Sequence, residues 1–126
     1  MPESDVGRAA DSRVEKPWGY ELRWAVTDRY LGKILHVNQG EALSLQYHER
    51  KDECQYVVSG CVDIEIGGLD GALTTRRMRA GDTLHIRPGT RHRITAVEDT
   101  DIFEVSTPEG DDVVRISDRY GRAPGA

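Results

Sequence analysis

The sequence contains no apolar run approaching the ~20 residues that span a bilayer. Its amino terminus, Met1-Pro-Glu-Ser-Asp5, has neither the basic nor the apolar part of a secretory signal. These absences lead to the expectation of a soluble, cytoplasmic chain with no membrane partner. Cysteine is scarce as well: Cys54 and Cys61 are too few for a disulfide framework. With Ser59-Gly60 read as a hairpin turn, Cys54 pairs across from about Glu65 rather than Cys61, so both are expected to be reduced packing residues. Neither the Rossmann nor the P-loop glycine pattern occurs, and no segment carries a convincing amphipathic helical period. A surplus of positive charge is also missing. The net charge of -5, with basic residues in no single block, argues against nucleic acid. Among the basic residues, lysine is the rare one, at 3 against 14 arginines. Arginine suits forked contacts with phosphate or carboxylate, which fits an anionic small ligand; a GC-rich codon bias explains the ratio equally well.

What is present is a succession of short strands. With 126 residues there is one domain and one core. Residues 1–12 read as a flexible amino-terminal arm, residues 13–122 as the domain, and residues 123–126 as a flexible tail. About ten apolar or alternating runs, among them Tyr20 to Val26, Tyr30 to Val37, Cys61 to Ile66 and Thr100 to Ser106, are separated by Gly, Pro, Asn and Asp. The class is therefore all-β, a sandwich or barrel. Trp18, in a Pro-Trp-Gly turn, reads as a plug for one end of it. Lys16 beside it is a candidate phosphate contact or a solvated lysine. His36 reads as structural or exposed.

Chemistry concentrates between Gly40 and Gly60. Side chains alternate along a strand, so Ser44, Gln46 and His48 share one face, while Leu43, Leu45 and Tyr47 take the other and offer an apolar surface suited to a homodimer. Glu53 opens the next strand, where a turn through Lys51-Asp52 can return its carboxylate to Gln46 and His48. An amide oxygen, an imidazole and a carboxylate so arranged look like metal ligands that need a fourth from downstream. In Thr100 to Ser106, Ile102, Glu104 and Ser106 share a face. Glu104 is then either an acid/base group or an ordinary exposed strand glutamate. His85 is ambiguous between inner and outer faces.

Two spaced motifs give the chain its resemblance. Gly40-x5-Gln46-x-His48-x4-Glu53-x6-Gly60 and Gly81-x5-Arg87-x-Gly89-x2-His92-x3-Ala96 resemble the paired motifs of the cupin superfamily, with matching spacing throughout. Gln46, Arg87 and Ala96 stand where His, Pro and Asn are usual. Lys16-Pro-Trp-Gly-Tyr20, Leu43-Ser-Leu-Gln-Tyr-His48, Val57-Val-Ser-Gly60, Gly89-Thr-Arg-His-Arg93, Asp111 to Arg115 and Asp118 to Arg122 are similar to the carboxy-terminal cupin domain of type II mannose-6-phosphate isomerases. The segment around Glu53 departs from that family, which commonly has a second His beside the Glu, where this chain has Cys54.

The resemblance implies a double-stranded β-helix, the small jelly roll of a cupin barrel. It implies one divalent metal ion on Gln46, His48, Glu53 and His92, zinc first, with Mn, Fe, Co or Ni also compatible with a mixed N/O set. The implied reaction interconverts an aldose phosphate and a ketose phosphate, mannose 6-phosphate and fructose 6-phosphate being the obvious pair. Glu104, then His85, are the candidate proton carriers. Arg115, Arg122 and Lys16 are the candidate contacts to the sugar phosphate. A non-catalytic sugar- or metabolite-binding cupin and a metal-dependent small-molecule oxygenase stand as alternatives.

Overall fold

Period-two alternation of β-branched and polar residues cannot bury one face as a helix, and it resolves here into strands whose buried residues recur at every second position. The computed structural model describes residues 6–123, so residues 1–5 of the expected arm and 124–126 of the expected tail lie outside the described part. Eleven strands are described: β1 (Arg13–Lys16), β2 (Gly19–Val26), β3 (Leu31–Val37), β4 (Leu45–Tyr47), β5 (Glu53–Ser59), β6 (Cys61–Gly67), β7 (Thr74–Arg79), β8 (Thr83–Ile86), β9 (Arg91–Ala96), β10 (Thr100–Ser106) and β11 (Val114–Ser117). The one helical element among them is a 3-10 turn, Ala9–Ser12, within the segment expected to be an arm. Ala123, expected in the tail, is buried. No helix of the described residues is long and apolar enough to cross a membrane.

All pairings are antiparallel. A six-stranded sheet runs β1-β2-β3-β10-β5-β8 and a five-stranded sheet runs β11-β4-β9-β6-β7. Val57 and Ile102 of the first sheet meet Val62, Ile64 and Ile94 of the second in one core, closed at its end by Trp18, which is 3% exposed. Each such fully buried Val or Ile contributes about 1.5–3 kcal/mol relative to exposure. Two facing antiparallel sheets around one core make a double-stranded β-helix, as the resemblance implied.

Two expectations are corrected. Ser59-Gly60 is not a hairpin turn, because β5 lies in the six-stranded sheet and β6 in the five-stranded one, and Gly60 is the corner where the chain changes sheets. Its φ of 97° requires glycine, and a Cβ there would lie 2.4 Å from both the Asp99 carbonyl oxygen and Thr100 Oγ1. Both cysteines are free, as expected, but Cys54 is exposed and only Cys61 packs. The second correction concerns the supposed outer face of the first motif. β4 is only three residues long, so the alternation does not extend back to Leu43, which packs against the core; Leu45 is buried as well. Large exposed apolar residues lie instead on the six-stranded sheet, where Phe103 faces Tyr56 across β10 and β5.

Candidate metal centre

Strand register brings the first motif and the second together. Gln46 on β4 is the direct cross-strand partner of His92 on β9, and β5 in the opposite sheet carries Glu53 to the same cavity. His48 follows β4 by one residue and is 3% exposed, as are Glu53 and His92. Candidate ligand atoms of His48, Glu53 and His92 all lie within 4.8 Å of one another.

The tautomers of both histidines follow from their partners. His48 Nδ1 meets the Asp112 carbonyl oxygen and His92 Nδ1 lies 2.9 Å from the Thr90 carbonyl oxygen. A carbonyl only accepts, so each Nδ1 carries the proton and each Nε2 turns a lone pair inward. His48 Nε2 is 3.2 Å and His92 Nε2 3.4 Å from the same Glu53 Oε1. His48 Nε2 is nevertheless buried without a hydrogen-bond partner. Two lone pairs and a carboxylate oxygen facing one point out of water are costly unless a cation sits among them. The donor set therefore fits a divalent metal ion. Gln46 faces the same cavity, its Oε1 accepting a 2.7 Å hydrogen bond from Ser44 Oγ, which leaves the amide oxygen a second lone pair.

Beside this group lies a charge cluster in which sequence reasoning identified Glu104 and missed Lys51. Glu104 on β10 is buried and accepts a 3.1 Å hydrogen bond from Gln55 Nε2. Lys51, which read as part of a turn, is 4% exposed, with Nζ 3.3 Å from Glu53 Oε2 and 3.5 Å from Glu104 Oε2. Burial pulls its ammonium down, but the charges of Glu104 and Glu53 more than offset this and hold it above the ordinary lysine value. Burial, then the negative charge of Glu53, pushes Glu104 up to about 7. Burial works on Glu53 too, yet the imidazoles of His48 and His92 against its Oε1 and the charge of Lys51 outweigh it and hold Glu53 well below the usual range. One carboxyl is thus kept ionised and its neighbour poised to exchange a proton near neutral pH.

The remaining candidates separate. His85 lies on the far side of the six-stranded sheet, across from exposed Cys54, and is tied to Asp52 Oδ1 at 2.6 Å. It does not line the cavity, which removes it as a proton carrier. Lys16, Arg115 and Arg122 all line the cavity, which has a volume of about 110 Å³. Arg122, however, is engaged by both oxygens of Asp118 at 2.8 and 3.1 Å. His36 stacks on Tyr20 and contacts Asp101, outside the cavity.

Comparison with known proteins accords with this geometry. Residues 33–106 match the Cupin_2 family, described as a cupin domain. The chain is 34% identical over 114 residues to the mannose-1-phosphate guanylyltransferase of Escherichia coli (strain K12), an alignment covering 86% of this chain and 23% of that protein. It thus spans about a quarter of the length of that relative. Over a shorter stretch of 60 residues it is 33% identical to an acireductone dioxygenase of Bacillus pumilus (strain SAFR-032), covering 48% of this chain and 34% of that one. In structure it is similar to KdgF from Halomonas sp., with a TM-score of 0.68, 24% identity, and coverage of 79% of this chain and 89% of that one. With its motif spacing, paired sheets and matched residues, the chain belongs to the cupin family.

Proposed function

We propose that this chain is a metal-dependent aldose-ketose isomerase acting on a sugar phosphate, with mannose 6-phosphate and fructose 6-phosphate the first pair to test. One observation carries the reading. A group suited to hold a divalent ion, His48, Glu53 and His92 with Gln46 beside them, shares its cavity with a buried carboxyl, Glu104, pushed up to about 7. An ion held there supplies a Lewis acid that polarises a substrate carbonyl. Isomerisation moves one proton between neighbouring carbons and one between their oxygens, with no oxidant or reductant. Glu104 takes the proton from the carbon beside the carbonyl and returns it to the other, a role suited to a carboxyl that titrates near the working pH. Lys51 holds Glu104 and Glu53 in place through one ammonium. The relationship to a mannose-1-phosphate guanylyltransferase directs the choice of sugar.

The test combines elemental analysis with an anaerobic assay of aldose phosphate conversion, on wild type and His48→Ala. About one equivalent of metal per chain is expected in wild type, lost together with conversion in a variant that retains its β-sheet circular dichroism. Metal content that the substitution leaves unchanged would overturn the metal site. Conversion that requires oxygen would overturn the isomerase in favour of an oxygenase.

A further inference from the structure

The cavity has a second end. In the six-stranded sheet, Lys33 on β3 lies directly across from Glu104 on β10, which lies directly across from Gln55 on β5. In the five-stranded sheet, Arg115 on β11 lies across from Gln46, and Gln46 from His92. In both sheets a cation therefore follows the candidate metal and proton-transfer residues on the next strand outward. Neighbouring strands are ~4.8 Å apart, so Lys33 sits roughly 10 Å from β5 across the sheet and Arg115 is similarly offset from β9. Lys16 and Arg23 line the same end.

The charge there is unbalanced. Against Lys16, Arg23, Lys33 and Arg115 the lining offers Glu21, and Glu104, across from Lys33, is already shared with Lys51. Glu21 is buried, and its Oε1 holds both Arg23 Nε at 2.7 Å and Lys33 Nζ at 3.7 Å. That fixes two cations in place without neutralising the group. Arg115 Nε is buried with no hydrogen-bond partner, so the guanidinium presents an unused donor inside the cavity. Burial lowers Lys16; the charge of Glu21 opposes this, and the smaller effects of Arg23, Lys33 and Arg115 add to the lowering.

We propose that Lys33 and Arg115, supported by Lys16 and Arg23, form a preformed subsite for a phosphate monoester, placed so that the ligand's other end reaches the His48–Glu53–His92 group. A carboxylate carries one negative charge and two oxygens; a phosphate monoester carries up to two charges and three oxygens, which suits several converging donors. The separation of the two ends matches an extended sugar phosphate with its carbonyl at one terminus and its phosphate at the other. The assignment of the reacting end rests on the isomerase reading; the anion subsite rests on the cations themselves.

Inorganic phosphate tests the subsite apart from turnover, by thermal-shift titration of the full chain. Saturable stabilisation is expected in wild type and in His48→Ala alike, weakened roughly tenfold or more in Arg115→Gln and Lys33→Gln and largely restored in Arg115→Lys. Melting temperatures without phosphate show whether each variant is folded, and Arg115→Gln, on an edge strand, is the decisive one if Lys33→Gln is not. Stabilisation lost in His48→Ala but intact in Arg115→Gln would place the anion at the metal and overturn the subsite, as would no saturable effect in wild type. In turnover, Arg115→Gln should raise KM for the sugar phosphate more than it lowers kcat, and the corresponding uronate and neutral sugar should be poorer substrates. Phosphate binding without turnover sinks the isomerase and keeps the subsite. Turnover whose KM is indifferent to Arg115 and Lys33 does the reverse.

Discussion

Asp112 holds His48 and the segment after it at once. Its backbone carbonyl accepts from His48 Nδ1, while its carboxylate accepts from the backbone N–H groups of Glu49 (3.1 Å), Arg50 (2.6 Å) and Lys51 (2.9 Å). A residue on the segment before β11 thereby fixes the orientation of a candidate ligand and the path of the β4–β5 connection. Asp112→Ala keeps the carbonyl but releases the loop. Water can satisfy the freed N–H groups of exposed Glu49 and Arg50, so the expected loss of stability is modest, about 1 kcal/mol. Metal affinity should fall more noticeably, by up to tenfold, because the Asp112 carbonyl that orients His48 is no longer anchored to the loop by the carboxylate. Unfolding in urea and competition with a coloured chelator measure the two, and an unchanged affinity would show that Asp112 serves the loop alone.

Glu104→Gln separates proton transfer from metal binding. The amide is nearly isosteric, keeps an oxygen for one of its two donors, Gln55 Nε2 or Lys51 Nζ, and leaves His48, Glu53 and His92 in place. Metal content should therefore stay at the wild-type level while conversion of the sugar phosphate falls about 10²–10⁴-fold, the usual worth of a positioned acid/base group. A fall of less than about tenfold in single-turnover conversion would remove Glu104 from the chemistry.

Much of this site was legible because strand alternation is a local rule. Gln46 and His48 face the same cavity as their spacing across Tyr47 required, and Ile102, Glu104 and Ser106 share the buried face of β10. The rest depended on partners distant in sequence. Lys51 in a polar turn gives no sign of burial until Glu53 and Glu104 supply its acceptors. Lys33 could lie on either face of its strand until its register with Glu104 decided the matter. Gly60 announced a change of direction, but a hairpin and a corner between sheets ask the same positive φ of the glycine. Arg122 did leave a signal: Asp118 lies four residues earlier, close enough to engage its guanidinium.

The corner at Gly60 predicts a contrast with Gly40. Both have positive φ, 97° and 81°, so a side chain strains the backbone in either place. At Gly60 the added Cβ also meets the Asp99 carbonyl and Thr100, whereas at Gly40 nothing lies within 4 Å. Gly40→Ala should cost about 1–2 kcal/mol, and Gly60→Ala clearly more, at least about 3 kcal/mol. Equal losses in chemical denaturation would mean that the chain between β5 and β6 yields easily to the clash.

Asp118 and Arg122 predict how stability changes with acid. Hydrogen bonds from Arg122 outweigh burial and hold the Asp118 carboxyl below its ordinary value of 3.8. Since the folded value lies below the unfolded one, the pair's contribution is fully present above the unfolded value and disappears as pH falls through the folded one. Asp118 is buried but Arg122 is partly exposed, so screening through the guanidinium limits the contribution to about 1 kcal/mol at neutral pH. Asp118→Asn should therefore be less stable than wild type at pH 7, and the gap should close as the pH drops below about 4. Urea unfolding at both ends of that window measures it. A gap that persists in acid would assign the role of Asp118 to its neutral hydrogen bonds, including the 2.7 Å bond it accepts from the Arg122 backbone N–H, rather than to its charge.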